Sequence, residues 1–495
     1  MKVDQPHLES FDSNQELSAE IGFGKEVIAA LEGLGLGHEA YIAGGFCRDL
    51  LLGDIPKDVD LATSATPEEL LGLNIPGVQF KYIDAAEAYP VVQAIKDGMS
   101  LEVATFRQDE YENPSGGSRM PGSITLGVPL GEDAERRDLT VNALYYNPLT
   151  NQMTDPTGYG IPDIEAKLVR FVGNPIKRIF EDLVRILRAI RLKNKLGFEY
   201  APETREALIE TREEVLRIKS KVRVRMELAK MLVHPTRVEA LKDMDDLGIL
   251  ELLIPEFTAG KGVEQPAQFH AEGDVFAHQL MVMENLPEHP SEHLVWAALL
   301  HDIGKPHIQT KDEDGRIRFN GHDEVSEILA RKVMERMMFP NEDIEAVAWL
   351  VKNHMVVRNL PKMKRSKQLN MIQPHIANPS IKRADLFQDL LMLLKADNAA
   401  SVRPDGSTDQ ESLLEAENIA ANIMSEITIQ KPTVKETFGI DGTLLMDLLG
   451  IERGDSRAKH LKSLIAYLNE TFQDNPNLSK DDLLKHADEW WGHNA

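Results

Sequence analysis

Between about residues 23 and 160, short alternating stretches of apolar and polar residues interleave with short helical patterns. HEAYIAGGF reads as a strand ending in glycines, CRDLLLG as a short helix, and KDVDLAT as a half-buried strand. LEVATF and LTVNALYYN are two further strand candidates, and the loop ENPSGGSRMPGS lies between them, rich in Gly, Pro, Ser and Asn. Interleaving of this kind points to an α/β or α+β domain. After about residue 163 the period changes. In PIKRIFEDLVRILRAIRLKNKLGF, Ile179, Leu183, Ile186, Leu187 and Ile190 fall on one helical face, with Pro175 suited to the first turn and Gly197 to the end. VRVRMELAKML, EALKDMDDLGILELL and the stretch around KVMERMM continue in the same style, so residues 161–495 are expected to be almost entirely helical.

These patterns divide the chain into a tail or docking helix (1–22), a mixed head (23–160), a helical neck and body (161–260), a second helical domain (261–400) and a helical C-terminal region (401–495). SVRPDGSTDQ (401–410) is the linker candidate. The 495 residues are enough for about three domains. A hydrophobic content of 42% and a charged content of 27% are those of a globular chain. The single cysteine, Cys47, excludes an internal disulfide and a cysteine-rich zinc site. No apolar run reaches membrane-spanning length and the N-terminus lacks a signal-peptide core, so a cytoplasmic protein without a membrane partner is expected. The net charge of −25 argues against a nucleic-acid binder. Residues 161–240, however, carry a local excess of +6, and RIKSKVRVR clusters Arg217, Lys219, Lys221, Arg223 and Arg225, with Ser220 as a candidate N-cap. Such a stretch suits a nucleic-acid backbone read by shape and charge, or else a solvated basic face.

Two constellations carry chemistry. On a strand, Asp58 and Asp60 project to one side, and paired carboxylates suit Mg²⁺. Two such ions serve an in-line phosphoryl displacement. Upstream, Gly44 and Gly45 permit close approach of backbone to phosphates, and Arg48 offers a charged fork. The alternative is a surface turn with two solvated acids. Farther on, Asp182 and Arg185 are spaced i, i+3 on the amphipathic helix. A carboxylate accepts from an exocyclic amino group, and a guanidinium donates to a ring nitrogen or carbonyl. Such a pair can read the edge of a base, or else it is an ordinary surface salt bridge. Glu102 in LEVATFR is either a third acid near the metals or a strand residue without a role.

AGGFCRDLLLGDIPKDVDLAT resembles motif A of the class II tRNA nucleotidyltransferase and bacterial poly(A) polymerase superfamily, whose head has the polymerase-β-like fold. RRDLTVNAL (136–144) resembles the family's ribose-contacting motif, and EDLVRILRAIR (181–191) its base-selecting motif. The resemblance implies an α+β chain: a mixed-sheet head followed by a helical neck and body, a helical HD domain and a helical tail. It implies that Asp58 and Asp60 hold Mg²⁺ and are catalytic. It further implies that Gly44, Gly45, Arg48, Arg136, Arg137, Asp138, Asn142, Asp182, Arg185, Arg188 and Arg191 meet the nucleotide. Arg107 and the loop after it stand where the family has a flexible loop that influences the final A addition.

WAALLHDIGKP, with His278 upstream and Asp397 downstream, resembles the HD phosphohydrolase superfamily. That resemblance implies a divalent metal (Ni²⁺, Mn²⁺ or Mg²⁺) on His278, His301, Asp302 and Asp397. Lys305 completes the motif, and His322 and His354 stand where a second metal or a substrate phosphate is held. In tRNA enzymes with this module it implies 2′,3′-cyclic phosphodiesterase, 2′-nucleotidase and phosphatase activity. GIDGTLLMDLLGIERG (439–454) also looks like a segment of the longer family members.

The expected activity is addition of CCA to the tRNA 3′ end, at the acceptor stem, from CTP and ATP. The alternatives are a poly(A) polymerase or an enzyme adding only CC or only A, and, further off, an HD phosphohydrolase with a non-catalytic RNA-binding head. GVQFKYIDAAEAYPVV (77–92) lacks the basic pair and the histidine usual in bacterial poly(A) polymerases, which favours the tRNA enzyme.

Overall fold

The computed structural model describes residues 2–4, 14–83, 91–111, 121–266, 273–372, 383–402, 404–405, 407, 410–427, 433–452 and 455–494. The loop expected at 112–123 falls mostly outside these residues, as does part of the linker expected at 401–410. The chain forms two compact units, Met1–Pro255 and Glu256–Ala495.

The first unit is built on an eight-stranded mixed sheet. Its strands are β1 (Lys2–Asp4), β2 (Ala40–Ala43), β3 (Leu61–Thr63), β4 (Gln79–Tyr82), β5 (Val91–Lys96), β6 (Met99–Thr105), β9 (Tyr145–Asn147) and β10 (Gln152–Thr154). They lie in the order β1-β10-β9-β2-β3-β6-β5-β4. A separate hairpin pairs β7 (Arg107–Glu110) with β8 (Ser123–Leu126). In the main sheet β3 and β6 run parallel, with Leu61 opposite Val103, and the other neighbours are antiparallel.

Three expectations for the head change. The N-terminal segment is not only a tail: Lys2–Asp4 adds an edge strand, and Asn14 caps α1 (Gln15–Gly33) by accepting from the Leu17 N–H at 3.2 Å. The cause is a run of Leu17, Ile21, Val27, Ile28 and Leu31, which α1 buries. The strand read in KDVDLAT starts only at Leu61. Alternation nevertheless begins earlier, because Val59 is buried between exposed Asp58 and Asp60 and the Ala43 N–H donates to the Asp60 carbonyl at 3.0 Å. LTVNALYYN is a 3₁₀ turn (Thr140–Asn142) followed by β9, not one strand.

The head's helices are α2 (Gly45–Leu52), α3 (Pro67–Leu71), α4 (Leu130–Glu135) and α5 (Gly160–Glu165). The neck and body add α6 (Pro175–Glu181), α7 (Arg185–Leu196), α8 (Pro202–Glu210), α9 (Lys221–Leu232), α10 (Arg237–Asp246) and α11 (Leu250–Leu253). Pro175 and Gly197 take their expected places in a first turn and a left-handed C-terminal cap, but the helix between them is two helices, broken at Asp182–Val184. Residues 161–495 are also not purely helical. β11 (Leu168–Val169) pairs in parallel with β12 (Glu199–Tyr200), and in the second unit β13 (Thr310–Lys311) pairs with β14 (Ile317–Arg318). Two-residue strands are too short to show a period of two.

The second unit runs through α12 (Pro255–Thr258), α13 (Val275–Glu284), α14 (Glu292–Leu300), α15 (Lys305–Ile308), α16 (His322–Arg336), α17 (Asn341–Asn353), α18 (Arg365–Ile372) and α19 (Arg383–Ala400). α14 buries Val295, Trp296, Ala297, Ala298, Leu299 and Leu300, and a helix apolar all round lies within a core. At the C-terminus, Val434, Ile440, Leu445, Leu464, Leu468, Leu483 and Ala487 form a small core of their own.

α5 holds the 140–142 turn through a close approach. A Cβ at Gly160 would lie 2.6 Å from the Thr140 carbonyl oxygen and 2.8 Å from Leu144 Cδ2. Gly160→Ala is therefore expected to cost about 1–3 kcal/mol, read as a lower thermal midpoint in calorimetry. An unchanged midpoint would mean that the turn yields freely.

Candidate active sites

In the head, β2 ends in a turn that only glycine adopts readily: Gly44 has φ +78° and ψ −133°. Guanidinium groups close over this turn. A Cβ on Gly44 would meet Arg137 Nη1 at 3.5 Å, and one on Gly45 would meet Arg48 Nη2 at 3.4 Å. Asp58 and Asp60 share the open side of the chain because Val59 between them is buried. Glu102 joins them. It and Asp60 each stand one residue before the Leu61–Val103 partners of a parallel pair, so they come abreast. Asp60 remains solvent-accessible at its surface but stands deep among protein atoms. Lost hydration and the carboxylates of Glu102 and Asp58 push its pKa up to about 6, against the pull of Arg137. A divalent cation at these carboxylates would relieve the repulsion that Asp60 feels.

The RRD motif hangs from a residue that sequence reading missed. Asp133 is fully buried. It accepts from Arg136 at 2.8 Å, Arg137 at 3.2 Å, the Tyr145 hydroxyl at 2.6 Å and the Arg107 N–H at 3.2 Å. Burial works against its charge, yet Arg137 and Arg136 hold its pKa low. Arg137 also donates to the Tyr145 hydroxyl at 2.8 Å and lies 4.7 Å from that ring's centre. The signal was present in EDAERRD, where Asp133 stands i, i+3 and i, i+4 to the two arginines. Asp138 is buried too, and Arg188 at 3.0 Å, with Arg185, outweighs burial and keeps it ionised.

Several expected nucleotide contacts are occupied within the protein. Arg48 is buried, paired with Asp49 at 2.6 Å and donating to Asn142 Oδ1 at 2.6 Å; it braces α2 against the 140–142 turn. Arg191 pairs with Glu227 at 2.6 Å. Asp182 and Arg185 do not share a helix face. Asp182 is the extended residue that ends α6, and Arg223 grips its two oxygens at 2.9 and 2.5 Å. Arg185 opens α7 and donates to Glu181 at 2.7 Å and to the Arg178 and Arg136 carbonyls at 2.8 and 3.0 Å. Arg223 is thus taken from the basic run expected to meet RNA. Ser220 stands at the N-cap position of α9, but its side chain makes no cap bond.

In the second unit six residues converge. His278, His301 and Asp397 form one set of potential metal-ligating atoms, and Asp302, His322 and His354 another, with the atoms of each set within 4.8 Å of one another. Asp302 lies between the sets, 3.3 Å from His301 Nε2 and 3.2 Å from His322 Nε2. Three imidazoles are oriented by backbone carbonyls: His301 Nδ1 to Ala298 at 2.8 Å, His322 Nδ1 to Phe319 at 2.9 Å and His354 Nδ1 to Val351 at 2.6 Å. That leaves each Nε2 lone pair facing the centre, as a metal requires. The buried His301 Nε2 makes no hydrogen bond. Burial and the neighbouring His301 and His322 push His354 down to about 3, so it is a neutral imidazole. This donor set fits a divalent metal.

Further residues support it, of which Arg358 and Gln265 were not foreseen. Arg358 pairs with Asp397 at 2.8 Å, Gln265 accepts from Lys305 at 2.8 Å, and Lys305 pairs with Asp302 at 2.6 Å. A Cβ at Gly304 would lie 2.6 Å from the His322 carbonyl oxygen, so the HD turn lies hard against the start of α16. The set borders a cavity of about 370 Å³ with Lys305, Arg316, Arg318, Arg358 and Phe319 on its walls.

Residues 40–170 match the model of the poly A polymerase head domain, residues 197–261 that of the probable RNA and SrmB-binding site of polymerase A, and residues 275–389 that of the HD domain. The CC-adding tRNA nucleotidyltransferase of Thermus thermophilus is 30% identical over 440 residues, 86% of this chain and 89% of that protein. The A-adding tRNA nucleotidyltransferase of Deinococcus radiodurans is 29% identical over 432 residues, 85% of this chain and 93% of that protein. A CCA-adding enzyme of Geobacillus thermodenitrificans is 39% identical over 214 residues, 43% of this chain and 50% of that protein. Among solved structures, the Bacillus stearothermophilus CCA-adding enzyme in complex with CTP has the same fold, with a TM-score of 0.64 at 22% identity, covering 97% of this chain and 100% of that one. No helix among the described residues is long and apolar enough to cross a membrane. The chain belongs to the tRNA nucleotidyltransferase and poly(A) polymerase superfamily and is a nucleotidyltransferase carrying an HD domain.

Proposed function

We propose that this protein adds C, C and A to the 3′ end of tRNA, using CTP and ATP without a nucleic-acid template. The observation that carries the reading is the intact acidic set, Asp58 and Asp60 with Glu102 abreast, joined to the residue before the Gly44–Gly45 turn by the Ala43 N–H to Asp60 carbonyl bond. Asp58 and Asp60 would hold Mg²⁺, which supplies charge neutralisation for the triphosphate. The Gly44–Gly45 backbone receives phosphate oxygens. Arg136 and Arg137, held by Asp133, face the ribose and phosphates. Asp182 and Arg185 choose the base, with Arg223 fixing the edge that Asp182 presents; an incoming base exchanges for part of that ion pair. The HD unit is a metal-dependent phosphohydrolase in this reading. His278, His301, Asp302 and Asp397 would hold a divalent ion that supplies Lewis acidity for ester cleavage. His322 and His354 would hold a second ion or the phosphate.

A second reading follows from the relatives aligned over most of the chain, one CC-adding and one A-adding. Incubating tRNA truncated before CCA with each labelled nucleotide, singly and together, decides between them. Addition of three nucleotides is expected. Two C residues or a single A means a partial enzyme, and a long A tail overturns the proposal in favour of a poly(A) polymerase.

Asp133→Ala leaves two partly buried guanidinium groups without their counter-charge. It should cost about 3–5 kcal/mol, as removal of one member of a buried ion pair does, and raise KM for both nucleotides. Calorimetry and steady-state kinetics read the two effects, and an unchanged KM would remove Asp133 from the positioning role. His301→Ala should abolish Ni²⁺- or Mn²⁺-dependent hydrolysis of a 2′,3′-cyclic nucleotide while nucleotide addition continues. Hydrolysis that survives the substitution would show that the HD site does not perform it.

A further inference from the structure

One cluster of cations in the first unit has no role in the scheme above. A small pocket between α7, α9 and α10 is lined by Arg191, Asn194, Lys195, Lys230, Met231, His234, Thr236 and Ala240. Four of these eight residues are basic and none is acidic. Among the described residues Lys195 and Lys230 have no hydrogen bond or salt bridge. Arg191 is answered by Glu227. His234 Nδ1 is held by Thr236, 2.8 Å from its hydroxyl and 3.3 Å from its N–H. Thr236 stands at the N-cap of α10 without a side-chain cap bond, with the Arg237 N–H donating to the His234 carbonyl at 3.1 Å and Glu239 in the first turn. Like charges crowd the place further: burial together with Arg48, Lys57 and Arg191 holds Lys195 low against the pull of Asp49. Burial and then Lys195, Lys57, Arg237 and Arg191 do the same to His234.

A fold gains nothing by gathering unneutralised cations around the start of a helix. The arrangement stores repulsion that an anion would relieve. We propose that this pocket is a phosphate-binding subsite of the protein and that its occupant is a backbone phosphodiester of the RNA substrate. Two features favour the RNA backbone over the incoming nucleotide. The pocket is too small for a nucleoside and has no carboxylate to share the metal of a chelated triphosphate. A phosphodiester brings a single charge and needs only donors, which Lys195 and Lys230 supply. The inference rests on the proposed action at the tRNA end.

The test compares the full-length protein with Lys195→Gln, Lys230→Gln and the double variant, using tRNA truncated before CCA. Filter binding over a range of salt concentrations gives Kd and the slope of log Kd against log salt. Steady-state addition gives KM for CTP and kcat at saturating tRNA. Each substitution is expected to weaken tRNA binding several-fold and to reduce the salt slope by about one. KM for CTP and kcat should stay within twofold, and thermal midpoints should hold or rise because repulsion is removed. A merely structural role would lower the midpoint and leave the slope alone. Unchanged tRNA affinity and slope overturn the subsite. A raised KM for CTP with unchanged tRNA affinity assigns the pocket to the nucleotide and overturns the RNA assignment. If the wild-type protein extends no tRNA, the proposed function fails instead, and the salt slopes of the variants on the same RNA still decide the phosphate site.

Discussion

The head depends on one buried carboxylate. Asp133 accepts from Arg136, Arg137, Tyr145 and the Arg107 backbone. An isolated carboxylate there would be expensive, and two guanidinium groups without it equally so. Together they form a unit in which neither side can be exchanged alone. Its position explains its importance. Arg137 reaches from this anchor to the Gly44 turn, and Arg107 ties β7 to it. Asp60, just before β3, lies beside the end of β2, where the Ala43 N–H donates to its carbonyl, and Glu102 of β6 comes abreast of it. The charge that the site offers a phosphate is thus set by a residue that no phosphate would touch.

The second unit solves a comparable problem by different means. Its six converging residues come from α13, the turn after α14, α16, the residue after α17, and α19. No single pattern in the chain holds them together; backbone does. Three carbonyls, each three residues before the histidine they orient, fix which ring nitrogen points inward. Burial keeps His354 neutral, and Lys305 and Arg358 offset the buried charges of Asp302 and Asp397. Metal affinity in such a site is set as much by these supports as by the ligands.

What could be read from the chain divides along physical lines. Faces set by local period were legible: Asp58 and Asp60 on one side and the helical core residues of α7; the histidines and aspartates of the HD set were named through a family resemblance, not a period. Features decided by distant partners were not. PIKRIFEDLVRILRAIR carries an unbroken amphipathic period, yet the helix stops at Asp182 because Arg223, 41 residues on, holds that carboxylate and Arg185 turns back to Glu181. Arg48 reads as a phosphate fork because nothing local shows that Asn142, 94 residues away, accepts a hydrogen bond from it. Glu102 was ambiguous until the parallel register put it beside Asp60.

The same division bears on the charge. A net −25 is a sum, and sums do not bind; local fields do. The stretch 161–240 carries +6, which leaves −31 for the rest of the chain. Even within the basic stretch several cations are paired: Arg223 with Asp182, Arg191 with Glu227, Arg217 with Glu214, Arg188 with Asp138. A polyanion therefore meets fewer unneutralised charges than the stretch contains, and their placement matters. Repulsion from the acidic remainder grows as salt falls, while attraction at a handful of phosphates grows too, so the two partly cancel in the affinity for long RNA. What survives the cancellation is position. Under the proposed function, such a surface would hold one end of the RNA at a few points and let the rest go, which suits a reaction in which the end itself must move as it grows.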